Sequence, residues 1–208
     1  MPTKFRPCVF CASGNGKTAD HIPPLGFFPK PRPSNLVTVP SCESCRVRYQ
    51  EDDEHVRNLL VSLAQTENHP AIEPQIAEAR NRSFDYAVSK AKRLISMMRL
   101  VKVGTTGSTA SAFNLDDPML DRFLERVCRG VLYDAHRIPF FPASFAWQLM
   151  PPHEAGEHFN KAPVELARKE IDNVFAYICS DEPVESFYYV SLRFYESFFA
   201  LGRLQPVS

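Results

Sequence analysis

The sequence predicts an α+β fold, and three observations carry that prediction. Two Cys-x2-Cys pairs bracket a segment with the β-branched character of strands, apolar residues then recur at helical spacing, and the tail is dense in Phe, Tyr and Val. A chain of 208 residues with 44% hydrophobic and 12% aromatic content is long and apolar enough to bury a core. We divide it into a first module at 1–70, a basic helix at 71–103, a linker at 104–115 and a C-terminal α+β region at 116–208.

The first module opens with Cys8 and Cys11, and Cys42 and Cys45 form the second pair. Between them, Thr18-Ala19-Asp20-His21-Ile22 and Asn35-Leu36-Val37-Thr38-Val39 read as short strands. The loop from Pro23 to Pro33 holds five prolines and one glycine, which forbid a helix there. After Cys42, Val56, Leu59, Leu60 and Leu63 predict a helix from about Glu43 to about Gln65, ended by Asn68-His69-Pro70.

A second helix is predicted from about Pro74 to about Val103. Its apolar stripe is Ala87, Ala91, Leu94, Met98 and Val101, with Arg82, Lys90, Lys92, Arg93 and Arg99 on the other faces and Gly104 as its stop. Gly104 to Ser111 has the composition of a flexible linker. Asp116-Asp117-Pro118 then opens a helix to about His136, acids first, as the helix dipole prefers. Beyond Ile171, the stretches Asp172–Cys179, Phe187–Tyr195 and Ser197–Leu204 read as antiparallel strands whose aromatics fill a core and offer a homodimer interface.

Net charge is zero, but it alternates along the chain. Residues 1–50 carry seven Lys/Arg against Asp20 and Glu43; residues 51–79 carry seven acids against Arg57; residues 80–103 carry seven bases against Asp85; the remainder is acidic. Two basic patches are thus available to a phosphate backbone, within a weak overall field that implies modest, salt-sensitive affinity. Lys17, Arg46, Arg48, Lys92 and Arg93 are the candidate contacts. Gly14-Asn15-Gly16-Lys17-Thr18 has the look of the end of a phosphate-binding loop, but no strand precedes it, and we assign it to the turn after the first cysteine pair.

The start of the chain shows no apolar stretch of the signal-peptide kind and no run long enough to span a membrane, so a cytoplasmic location without membrane contact is expected. In that setting paired Cys-x2-Cys spacing reads as metal binding rather than as disulfides. Four thiolates match the soft, tetrahedral donor set of a structural zinc, and a closed four-sulfur site leaves no open position for catalysis. Cys128 and Cys179 are solitary among apolar neighbours and read as small buried hydrophobes.

The order of cysteine pair, Asp20-His21-Ile22-Pro23, Asn35-Leu36-Val37 and second cysteine pair resembles the zinc-containing branch of the HNH endonucleases over about residues 8 to 60. More loosely, Arg129-Gly130-Val131-Leu132-Tyr133 through Pro139 and the final aromatic strands look like the C-terminal part of uncharacterised bacterial HNH proteins of similar length. The first resemblance implies a zinc-stapled ββα-metal module that hydrolyses phosphodiester bonds, in DNA rather than RNA. Imidazole titrates near neutral pH, so His21 suits a general base, and Asp20 is a hard oxygen ligand suited to catalytic Mg²⁺ or Mn²⁺. The resemblance also implies that Asn35 fixes the loop that orients His21. It departs at Arg46, where the family carries an Asn that completes the cation site; a guanidinium offers no acceptor, and the Gln50 one turn on coordinates weakly. Three outcomes are open: Asp20 binds the cation with another partner, Arg46 supplies charge to the phosphate, or the module binds nucleic acid without cutting.

Overall fold

Thr18–Ile22 (β1) pairs antiparallel with Val37–Ser41 (β2), in a register running from Thr18 opposite Ser41 to Ile22 opposite Val37. This computed structural model describes residues 6–12, 15–63, 66, 69–72, 75–103, 108–137, 139–161, 163 and 166–207. β2 lies two residues later than its predicted span, and the proline-rich loop between the strands contains one 3-10 turn at Leu25–Phe27.

Helix α1, Glu43–Leu60, starts where the second cysteine pair lies. Its N-cap is Cys42, whose Sγ accepts from the Cys45 amide at 3.5 Å, while Glu43 and Arg57 sit at the ends that the helix dipole favours. The helix stops at Leu60, short of Gln65. The Thr66 hydroxyl donates to the carbonyls of Leu60 and Leu63, satisfying acceptors that a longer helix would have used.

The long basic helix expected over 74–103 is instead three elements: α2 at Gln75–Tyr86, α3 at Val88–Met97 and a strand, β3, at Met98–Val103. Ala87 breaks the helix with an extended backbone, and the expected stripe buries only as far as Leu94; Met98 and Val101 are exposed. Four of six residues in Met98–Val103 are apolar, so the segment serves a strand as readily as a helix, and a pairing partner decides between them. That partner is β4, Ser108–Phe113, in the stretch expected to be linker; residues 104–107 lie outside the described ones.

Helix α4, Pro118–His136, begins as predicted, with Asp117 as N-cap accepting from the Met119 amide and Pro118 in the first turn. The Asp117 carboxylate also accepts from His55 Nε2 at 2.7 Å, which joins the start of α4 to α1. The helix ends at Arg137, which adopts the left-handed conformation of a C-cap, φ 59°.

Five antiparallel strands follow: β5 Pro142–Leu149, β6 Ala167–Ile171, β7 Phe175–Cys179, β8 Tyr188–Phe194 and β9 Phe198–Pro206, in the order β5-β9-β8-β7-β6. The last three are the predicted strands: left-handed turn residues at Asp172 and Tyr195 shorten β7 and β8, and β9 runs two residues past its predicted end at Leu204. β5, β6 and the helix α5, Pro152–Lys161, were not anticipated.

α4 lies between the first module and the five-stranded sheet, and one cluster of buried side chains runs through all three. Phe27 of the proline-rich loop, Phe123 of α4 and Phe194 of β8 meet with ring centroids 5.3 to 5.9 Å apart. Each such buried aromatic stabilises the fold by roughly 1.5–3 kcal/mol. The Tyr195 hydroxyl donates to the Phe27 carbonyl at 2.9 Å, tying the loop to the sheet. Cys128 and Cys179 are buried in this core as expected. No helix among the described residues is long and apolar enough to cross a membrane.

Candidate metal centre and the Asp20 site

The four cysteines of the two pairs come together: their Sγ atoms all lie within 4.8 Å of one another, with Cys11 and Cys42 3.6 Å apart. Tetrahedral zinc with bonds of about 2.3 Å needs sulfurs about 3.8 Å apart, so this donor set fits a thiophilic metal such as zinc. Local backbone geometry builds each grip. Ala12 turns with φ 56°, its amide donating to the Cys8 carbonyl, and the Phe10 amide points at the Cys8 sulfur. The Val9 amide donates to the Pro40 carbonyl, which docks the first pair on β2 beside the second. Burial, with further contributions from the neighbouring sulfurs, pushes the Cys45 thiol far above its ordinary range, and burial also raises Cys8. A metal ion would stabilise the thiolates that burial disfavours.

Arg129 of α4 supports this centre from behind. Its Nη2 donates to the carbonyls of Val9 and Phe10 at 3.0 and 2.8 Å, and its Nε to the carbonyl of Phe140. The turn that carries the first cysteine pair is therefore held by the helix that also packs on the C-terminal sheet.

The β1–β2 ladder is regular through Asp20 and His21, opposite Val39 and Thr38, with no bulge. Successive side chains of a strand leave on opposite faces, so Asp20 shares its face with Ile22, and His21 takes the other. The α4-facing side belongs to Asp20 and Ile22. A Cβ at Gly130 would lie 2.5 Å from Ile22 Cγ1, so only glycine allows α4 this close to β1. One helical turn before Gly130, the buried guanidinium of Arg126 donates from Nη1 to Asp20 Oδ2 at 3.2 Å and from Nη2 to Asp53 Oδ1 of α1. Its Cζ lies 4.8 Å from the centroid of the Tyr49 ring, and its Nε is buried without a partner among the described residues. Burial pushes the Asp53 carboxyl up to about 7 against the pull of Arg126, with the charges of Asp20 and Asp52 adding to the rise.

A guanidinium this close to Asp20 repels a divalent cation, and the four cysteines are the only group of three or more His, Cys, Asp or Glu ligands gathered among the described residues. The surroundings of Asp20 therefore do not fit a catalytic Mg²⁺ or Mn²⁺. Arg46 is exposed and paired with Glu43 at 2.7 Å; that hydrogen bond, and to a smaller degree the Asp20 charge, raises its pKa. Asn35 donates its amide to the Glu170 carbonyl of β6 at 3.1 Å, fastening the end of the proline-rich loop to the sheet. Lys17, Arg48 and Lys92 are exposed, whereas Arg93 is shared with Glu51 and the Met119 sulfur.

Arg126 was not anticipated, although the sequence held a signal for it: a glycine inside a helix marks a close approach, and a basic residue one turn away shares that approaching face. The chain matches no family model, no curated protein and no solved structure.

Proposed function

We propose that this chain is a nucleic-acid-binding protein built on a zinc-stapled ββα module, with DNA as its partner and no cleavage of its own. The carrying observation is the Asp20–Arg126 ion pair. It occupies the carboxylate that a catalytic cation would need, on the face of β1 opposite His21. The exposed cations Lys17, Arg48 and Lys92, and the alternation of charge along the chain, supply the phosphate contacts. One zinc in the four-cysteine centre holds β1, β2 and α1 together as the platform.

A second reading is the endonuclease that the HNH resemblance implies. It is favoured by His21, which stands half-buried beside the exposed Thr38 on the ribbon face turned from α4, where an imidazole can meet a substrate water. Incubation with supercoiled plasmid at low salt in Mg²⁺ or Mn²⁺ separates the two. Retardation of the DNA without nicking supports binding. Nicking that disappears in His21→Ala establishes the enzyme instead, and neither retardation nor nicking removes both readings.

A further inference from the structure

The proline-rich loop that follows β1 forms, with α1 and α2, a pocket of about 340 Å³, which no part of the HNH resemblance uses. Its wall carries four cations, Lys30, Arg32, Arg57 and Arg82, against one carboxylate, Glu78. Glu78 is already paired with Arg82 at 3.6 Å, and among the described residues Lys30, Arg32 and Arg57 make no ion pair. The charges of Glu54 and Asp53 reach Arg57 from outside the pocket, but the wall itself holds more positive than negative charge, and a multiply charged anion is the ligand that reduces that repulsion.

The pocket is built rather than left open by mobile side chains. Gln75 of α2 accepts from the Lys30 amide at 2.9 Å and donates to the Lys30 carbonyl at 3.3 Å, which fixes the loop against the helix. Arg57 is held by two donations to Asn58 Oδ1, at 3.3 and 2.9 Å, so its guanidinium stays in place for a ligand. Burial lowers the Arg57 pKa, consistent with a charge set in protein rather than in water. Guanidinium groups pair with phosphate through two parallel N–H donors, and a phosphate's higher charge and additional oxygens let it meet several cations of the wall at once.

We infer that this pocket is a phosphate-binding subsite that receives a backbone phosphate of a bound nucleic-acid strand. The inference rests on the nucleic-acid reading and names where that strand would be anchored.

The test uses the full chain carrying His21→Ala, so that hydrolysis plays no part. Binding of a single-stranded oligonucleotide, a nucleoside monophosphate and inorganic phosphate is measured by calorimetry and by NMR shifts of arginine side chains. The variant is the double charge reversal Lys30→Glu with Arg32→Glu, two exposed side chains whose loss leaves the core intact. A reversal of Arg99 and Lys161, both outside the pocket, serves as the control for net charge, and circular dichroism confirms that both variants fold.

The expected result is oligonucleotide binding weakened at least tenfold by the pocket reversal, a loss of roughly one strong charge-assisted contact, with a shallower salt dependence and little change in the control. Weakening of the two small phosphates alone, with oligonucleotide binding unaltered, would assign the pocket to a free nucleotide and overturn the strand as its source. Equal loss in the control, no response to any phosphate probe, or equal affinity for a Glu-rich peptide would overturn the phosphate assignment altogether. If the small phosphates bind in the pocket while no oligonucleotide binds anywhere, the nucleic-acid reading fails and the pocket remains a phosphate site.

Discussion

The Nη1 of Arg126 on α4 donates to Oδ2 of Asp20 on β1 at 3.2 Å, and the same guanidinium reaches Asp53 on α1. A single buried cation therefore joins three elements, reaching 106 residues back along the chain to Asp20 and 73 to Asp53. Taking such a group out of water is costly, and the two carboxylates together with the Tyr49 ring offset that cost. The arrangement also fixes the side of β1 that Asp20 serves, and so puts His21 on the opposite face, beside Thr38.

Replacing Arg126 alone should be among the most damaging single substitutions in the chain. Arg126→Met keeps much of the side-chain volume but strands two half-buried carboxylates, with an expected loss of about 3 kcal/mol in urea unfolding. Arg126→Met combined with Asp20→Asn and Asp53→Asn should recover most of that loss, because the uncompensated charges go with the cation. A loss below about 1 kcal/mol in the single variant would show that the ion pair does not hold α4 to β1.

Asp53 gives the fold a pH dependence of defined sign. Its carboxyl is pushed up to about 7, mainly by burial, whereas an unfolded aspartate titrates near ~3.9. Between those values the folded chain holds a proton that the unfolded chain has lost. The stability contributed by that proton is complete below about pH 4 and disappears as pH rises through about 7. Asp53→Asn cannot ionise and keeps a neutral side chain throughout. Its stability relative to the parent should therefore climb between about pH 4 and pH 8, followed by urea midpoints at each pH. A difference that stays flat across that range would show that Asp53 is ionised in the fold at all of them.

The parts of the fold written in local chemistry were legible from sequence. The two cysteine pairs, β1, the start of α1 at Cys42 and the Asp117-Pro118 opening of α4 each depend on residues within a few positions of one another. What was hidden depends on partners far along the chain. Met98–Val103 has a pattern that suits helix or strand, and only the presence of Ser108–Phe113 beside it makes it a strand. The Asp20 site was read for its neighbour His21, but its actual partner is Arg126, whose role follows from the close approach of Gly130 to Ile22. A single sequence carries no record of that approach beyond the glycine itself.

The four-cysteine centre should act as a staple for the whole chain rather than for its first third. Arg129 of α4 holds the carbonyls of Val9 and Phe10, and the core runs unbroken from Cys8 to Leu204, so loosening the cysteine turn removes support from the sheet as well. The purified protein should contain one equivalent of zinc by elemental analysis. Structural zinc in small peptides supplies roughly 10–16 kcal/mol; if only about 5 kcal/mol of this is felt here, chelation should lower Tm by roughly 10–20 °C, with both halves unfolding together. Cys11 is the exposed member of the set, so Cys11→Ser removes a ligand with little disturbance of packing and should reproduce much of the chelator's effect. Because burial holds Cys8 and Cys45 in their protonated forms when no metal is present, zinc must displace those protons, and its affinity should fall as pH is lowered. Zinc-free protein with an unchanged Tm in chelator would remove the staple, whereas a Tm loss confined to the first module would remove its coupling to α4.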